Sequence, residues 1–133
     1  MAGESEEALF VAGESAPFIP GDRVMAICRK IEQRSYRQFG ERLVFTFEVI
    51  EPTDYQGTKL EMFARINPKW KMVPSSSKLF RSGCVAMGKR ILKGQRVTKS
   101  MFTGKVFLCK LKKSGDGPTA FSIIEELLER LAG

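Results

Sequence analysis

Arginines and aromatic side chains interleave between positions 34 and 42: Arg34, Tyr36, Arg37, Phe39 and Arg42. Cations follow phosphate oxygens and flat rings stack on bases, so this spacing suits a grip on single-stranded nucleic acid, where stacking is worth about 1–3 kcal/mol per base. A second cluster repeats the combination, with Trp70 between Lys69 and Lys71 and prolines at 68 and 74. Two placements are open for Trp70: a pre-set stacking platform, or a plug in the core, where a small domain often keeps its one tryptophan. Phe63 alternates with Lys59, Glu61 and Arg65, so it faces outward beside Arg65 if Leu60, Met62 and Ala64 face inward. Its other reading is an apolar layer beneath the N-terminal residues. Lys112 and Lys113 complete the candidate set.

Charge is segregated along the chain. The 54 residues from Met62 to Gly115 hold 14 Lys or Arg and no Asp or Glu, whereas the other 79 hold 8 basic and 15 acidic side chains. A one-signed field over much of a fold repels itself, and a polyanion is the partner that offsets this. With phosphate contacts dominating, binding is expected to tolerate many sequences, because such contacts position a protein without reading bases.

Other chemistries find little support. The chain has no histidine, the commonest general base and metal ligand. Gly88-Lys89-Arg90 and Gly104-Lys105 lack the spacing of a phosphate loop. Asp54 and Glu61 invite comparison with a carboxylate nuclease, but Phe63 stands where that chemistry wants a lysine. Cys28, Cys84 and Cys109 are odd in number and widely spaced, which fits buried thiols rather than a zinc site or disulfide framework. We therefore expect no enzyme, no metal and no cofactor. The acidic start and the absence of a long apolar window lead us to expect a soluble cytoplasmic protein without membrane contact.

These residues need a scaffold. Residues 1 to 20 carry Glu4, Glu6, Glu7 and Glu14 without a cation, and read as an acidic flexible arm that Leu9, Phe10 and Val11 could anchor. Their charge predicts an arm folded over the basic face, competing with nucleic acid. From 21 to 133 a single domain is expected. Apolar runs and alternation predict strands over 23–31, 42–50 and 59–66, with the Arg34–Arg42 cluster on the loop between the first two. Ser77 suits a helix N-cap, and Leu79, Phe80, Cys84 and Met87 recur at helical spacing up to Gly88. Strands follow over 104–111 and 119–124. Ile124, Leu127, Leu128 and Leu131 then predict a short C-terminal helix. The fold is thus mainly β: a five-stranded OB-like Greek-key barrel with one internal helix between strands 3 and 4.

The chain resembles the small OB-fold single-stranded-DNA-binding proteins of phages, plasmids and integrated mobile elements. The resemblance covers residues 21 to 124 and rests on Gly21-Asp22-Arg23-Val24, Phe45-Thr46-Phe47-Glu48-Val49, Gly57-x-Lys59-Leu60, Ser77-Lys78-Leu79 and Phe102-x-Gly104-Lys105-x-Phe107. It implies single-stranded DNA binding in replication or recombination of mobile DNA, without catalysis, with a homo-oligomer allowed. The alternative is a non-catalytic adaptor or RNA-associated protein whose basic face meets RNA or an acidic protein.

Overall fold

Alternation of side chains builds the first sheet. In β2 (Gly40–Glu51) Phe45, Phe47 and Val49 are buried, while Thr46 and Glu48 between them reach solvent. β3 (Lys59–Arg65) turns Leu60, Met62 and Ala64 inward, and β1 (Arg23–Tyr36) contributes Val24, Ala26 and Cys28. The computed structural model describes residues 8–12 and 16–132. β1 and β2 pair antiparallel, as do β2 and β3. β4 (Val106–Ser114) runs antiparallel to the start of β1 and to β5 (Phe121–Ala132), and β5 meets β3 in parallel through Met62 and Ile124. The five strands close into a barrel in the order β1-β2-β3-β5-β4.

Four phenylalanines fill its centre. Phe45 meets Phe102 edge-on at 5.1 Å between ring centroids, and Phe47 meets Phe107 edge-on at 6.0 Å. Such pairs are worth about 0.5–1.5 kcal/mol beyond the area they bury. The helix α1 (Lys78–Met87) lies between β3 and β4 in the chain, as expected. Ser77 caps it by accepting a hydrogen bond from the Phe80 amide at 3.1 Å, and Gly88 ends it in the left-handed conformation at φ 70°. Arg130 of β5 donates to the Ala86 carbonyl at 3.0 Å, tying the helix end to the barrel.

Three expectations are corrected. The predicted C-terminal helix is the second half of β5, which continues as a strand to Ala132. β1 runs on to Tyr36, so Arg34 and Tyr36 lie on that strand, Arg42 lies on β2, and only Arg37, Gln38 and Phe39 form the connecting turn. Leu9, Phe10 and Val11 do not anchor the N-terminal residues, since all three are exposed. Ile19 does so instead: it is buried, and its amide donates to Ser122 Oγ at 2.8 Å while the Ser122 amide donates to the Pro17 carbonyl at 2.9 Å. The acidic arm expected over residues 1–20 falls in part on 1–7 and 13–15, outside the described residues. No helix among the described residues is long and apolar enough to cross a membrane.

Candidate nucleic-acid interface

Register places Arg34, Arg42 and Arg65 side by side. Arg34 pairs with Arg42 across β1 and β2, and Arg42 pairs with Arg65 across β2 and β3. The neighbouring row on the same outer face is Glu32, Val44 and Phe63. Like charges directly opposite on a sheet are destabilising, so this row works against the fold that carries it.

The three arginines are not equivalent. Arg34 is engaged by two acids: it donates to Glu32 through Nε at 3.0 Å and through a second nitrogen, and lies 3.1 Å from Glu61. Hydrogen bonds to Glu32 and Tyr36 raise its already high pKa further, and the Arg34 bond in turn holds the Glu32 carboxyl below its ordinary range. The charge of Arg34 is thus already met by Glu32 and Glu61. Arg42 and Arg65 have no acidic partner among the described residues.

Aromatic side chains gather over the same strands. Tyr36 lies opposite Gly40, which has no side chain, and its ring meets Phe63 at 6.4 Å and 74°. β2 separates the strands that carry the two rings, so the pair spans it, and the outward-facing Val44 is fully buried. Phe63 is therefore half-buried against Tyr36 on the outer face of the sheet. Phe39, at the tip, is 61% exposed and carries the Arg42 guanidinium 5.7 Å from its ring centre. Arg37 beside it is exposed.

An open groove of about 590 Å³ starts at this tip. Phe39, Arg42 and Arg65 line one part of it, and Asn67 and Pro68 another. The next residues are Lys69, Trp70 and Lys71, so the groove leads from the first cluster to the second. A short turn sets them: the Asn67 side chain accepts from the Lys69 amide at 3.0 Å and its carbonyl accepts from the Trp70 amide at 2.9 Å. Lys69 and Lys71 are exposed, and Trp70 is half-buried, neither a core plug nor a free platform.

Lys112 and Lys113 lie apart from this face. They pair with Ile123 and Ser122 on β5, and Lys112 acts electrostatically on Lys78 at the start of α1, together with Glu125, Glu126 and Arg81. Burial first, then Lys112 and Arg81, push the Lys78 amine down, against the pull of the two carboxylates. The acids Glu32 and Glu61, which organise Arg34, were not legible as part of the site: strand pairing brings Glu61 beside Arg34, and Glu32 shares its face because β1 continues through both residues where a loop was expected.

Burial raises the Cys28 and Cys109 thiols to about 12, which leaves both unreactive at neutral pH. Among the described residues no cluster of three or more His, Cys, Asp or Glu could hold a metal. No family model matches the chain, and no curated protein matches it.

Proposed function

We propose that this protein binds single-stranded DNA with little regard to sequence, without catalysis, on the outer face of β1, β2 and β3. The observation that carries the reading is the cross-strand row of Arg34, Arg42 and Arg65, two of whose members have no acidic partner among the described residues. Cations set directly opposite one another destabilise a sheet, whereas a phosphate backbone offsets their repulsion. Phe39, Tyr36 and Phe63 sit at its margins, where bases splayed from that backbone could stack.

The barrel is read as OB-like on its ring order β1-β2-β3-β5-β4 and the helix between β3 and β4. In OB folds the face of strands 2 and 3 and the loop joining strands 1 and 2 take oligonucleotides, and Arg42, Phe63 and Arg65 lie on those strands with Arg37 and Phe39 in that loop. A role in replication or recombination of mobile DNA follows from the family resemblance alone.

Titration with fluorescent oligo-dT, the matching RNA and a duplex over a range of salt tests the proposal. If Arg37, Arg42, Arg65 and Lys69 carry the phosphates, log affinity should fall against log salt with a slope of about −2 to −3 for single strands. Oligo-dT should bind more tightly than the duplex and change Trp70 fluorescence. Equal affinity for both forms would reject the reading, and preference for RNA would move the substrate to the alternative class.

A further inference from the structure

A second groove, of about 760 Å³, opens between the loop after β3, the start of α1 and the loop before β4. Its floor includes Phe45 and Phe102 of the barrel core, and its exposed apolar walls are Met72, Val73, Leu92 and Val97. Five cations border it: Lys71, Arg90, Lys93, Arg96 and Lys99. None of the five makes an ion pair among the described residues, and no acid occurs anywhere between Met62 and Gly115. An apolar trough inside a cationic rim fits an occupant that is both apolar and acidic.

The chain itself contains such a segment. Leu9, Phe10 and Val11 are 97%, 79% and 90% exposed, and Glu4, Glu6 and Glu7 precede them. Three consecutive solvated apolar side chains are an error in a stable surface unless something binds them. The sequence expectation placed this segment on the basic face of its own chain, but Leu9–Val11 stand clear of it. Both halves of a complementary contact are therefore open on one molecule.

We propose that the groove of one copy receives the Glu4–Val11 segment of a second copy, with Leu9, Phe10 and Val11 in the trough and the glutamates against the rim. Exchanged reciprocally, two such contacts close a two-fold dimer. A nucleic-acid strand fits this groove less well, because its most exposed apolar walls, Met72 and Leu92, carry no ring, Phe45 and Phe102 are buried in the core, and Phe80 alone among the lining rings is partly exposed. The proposal is independent of the nucleic-acid reading of the β1–β3 face.

Sedimentation of the full chain tests it, beside the L9S/F10S variant, whose substitutions fall on exposed side chains and should leave the melting temperature unchanged. The parent should dimerise, with the variant weakening association about tenfold or more and high salt doing likewise. A labelled peptide of residues 1–12 should bind the full-length L9S/F10S chain, and adding Lys93→Glu with Arg96→Glu should weaken that binding about tenfold. A parent that stays monomeric while the peptide binds would place the segment in its own chain and overturn the second copy. Peptide binding that ignores the two reversals, or a peptide that fails where oligo-dT binds at this rim, would overturn the groove assignment.

Discussion

Phe39 is the ring whose loss should separate binding from folding. It is 61% exposed, and its one notable contact is the Arg42 guanidinium, 5.7 Å from the ring centre. An exposed cation–π contact of that kind is worth about 0.5–1 kcal/mol. Phe39→Ala should therefore cost at most about 1 kcal/mol, a fall in melting temperature of roughly 3–6 °C or less for a domain of this size. If the ring stacks on a base, the same change removes about 1–3 kcal/mol of binding, a loss of about 5- to 150-fold in affinity. Fluorescence anisotropy with labelled oligo-dT at fixed salt reads the affinity, and a thermal melt reads the fold. The phosphate contacts remain, so the salt slope should stay unchanged. Affinity within twofold of the parent, with an intact melt, would show that no base lies on Phe39 and would move the stacking site to Tyr36 and Phe63 or abolish it.

Further perturbations separate the same quantities. Arg65→Gln relieves the repulsion with Arg42, so the variant should melt no lower than the parent while its slope of log affinity against log salt falls by about 0.7; an unchanged slope removes Arg65 from the phosphate path. Ser77→Ala removes the helix cap and should cost about 1 kcal/mol in urea denaturation, and a loss below a few tenths would mean that the Phe80 amide finds another acceptor. Gly83→Ala adds a Cβ that would meet Ile91 Cδ1 at 2.8 Å, yet that atom ends a flexible side chain lining the open second groove, so the gain in helix propensity of about 1 kcal/mol should prevail and raise the melt; a lower melt would show that Ile91 cannot give way. Glu32, Glu41 and Glu48 hold their folded-state pKa below the ordinary carboxylate range, chiefly through hydrogen bonds from Arg34, Gln33 and Lys59 respectively. Stability from depressed carboxyls is fully present above the unfolded range and declines as pH falls through the folded values, so the urea midpoint should drop between pH 5 and pH 2, about the window of carboxylate protonation; a flat profile there would refute the coupling.

The strands whose alternation is unbroken could be read directly. Phe45, Phe47 and Val49, and likewise Leu60, Met62 and Ala64, keep period 2 from one end of their strands to the other. The helix was equally legible, because Ser77 and Gly88 mark its ends as cap chemistry requires. The arginine row was not. Arg34 and Arg42 belong to one cluster in the sequence, but Arg65 lies well beyond it, and only the pairing of three strands sets all three abreast. The second groove was hidden for a related reason: Met72 and Leu92 belong to different loops, and their common space depends on how α1 packs.

Register shifts account for the two misread stretches and for the site itself. Between β4 and β5 the pairing slips at three places, so Ile124 and Leu127, three residues apart, both point into the core. A bulge inserts one residue into a strand, turning a spacing of two into a spacing of three, which in sequence is the mark of a helix face. The C-terminal half of β5 imitates a helix for this reason. β1 slips in the same way between Cys28 and Lys30, leaving Cys28 and Ile31 both inward and breaking the alternation where the strand seemed to end. Unbroken alternation from Val24, Ala26 and Cys28 would have pointed Glu32, Arg34 and Tyr36 into the barrel. The extra residue at Arg29 reverses the parity, so those three side chains emerge on the outer face beside Arg42 and Phe63. The irregularity that obscured the strand is thus what puts its polar half on the face with the arginines.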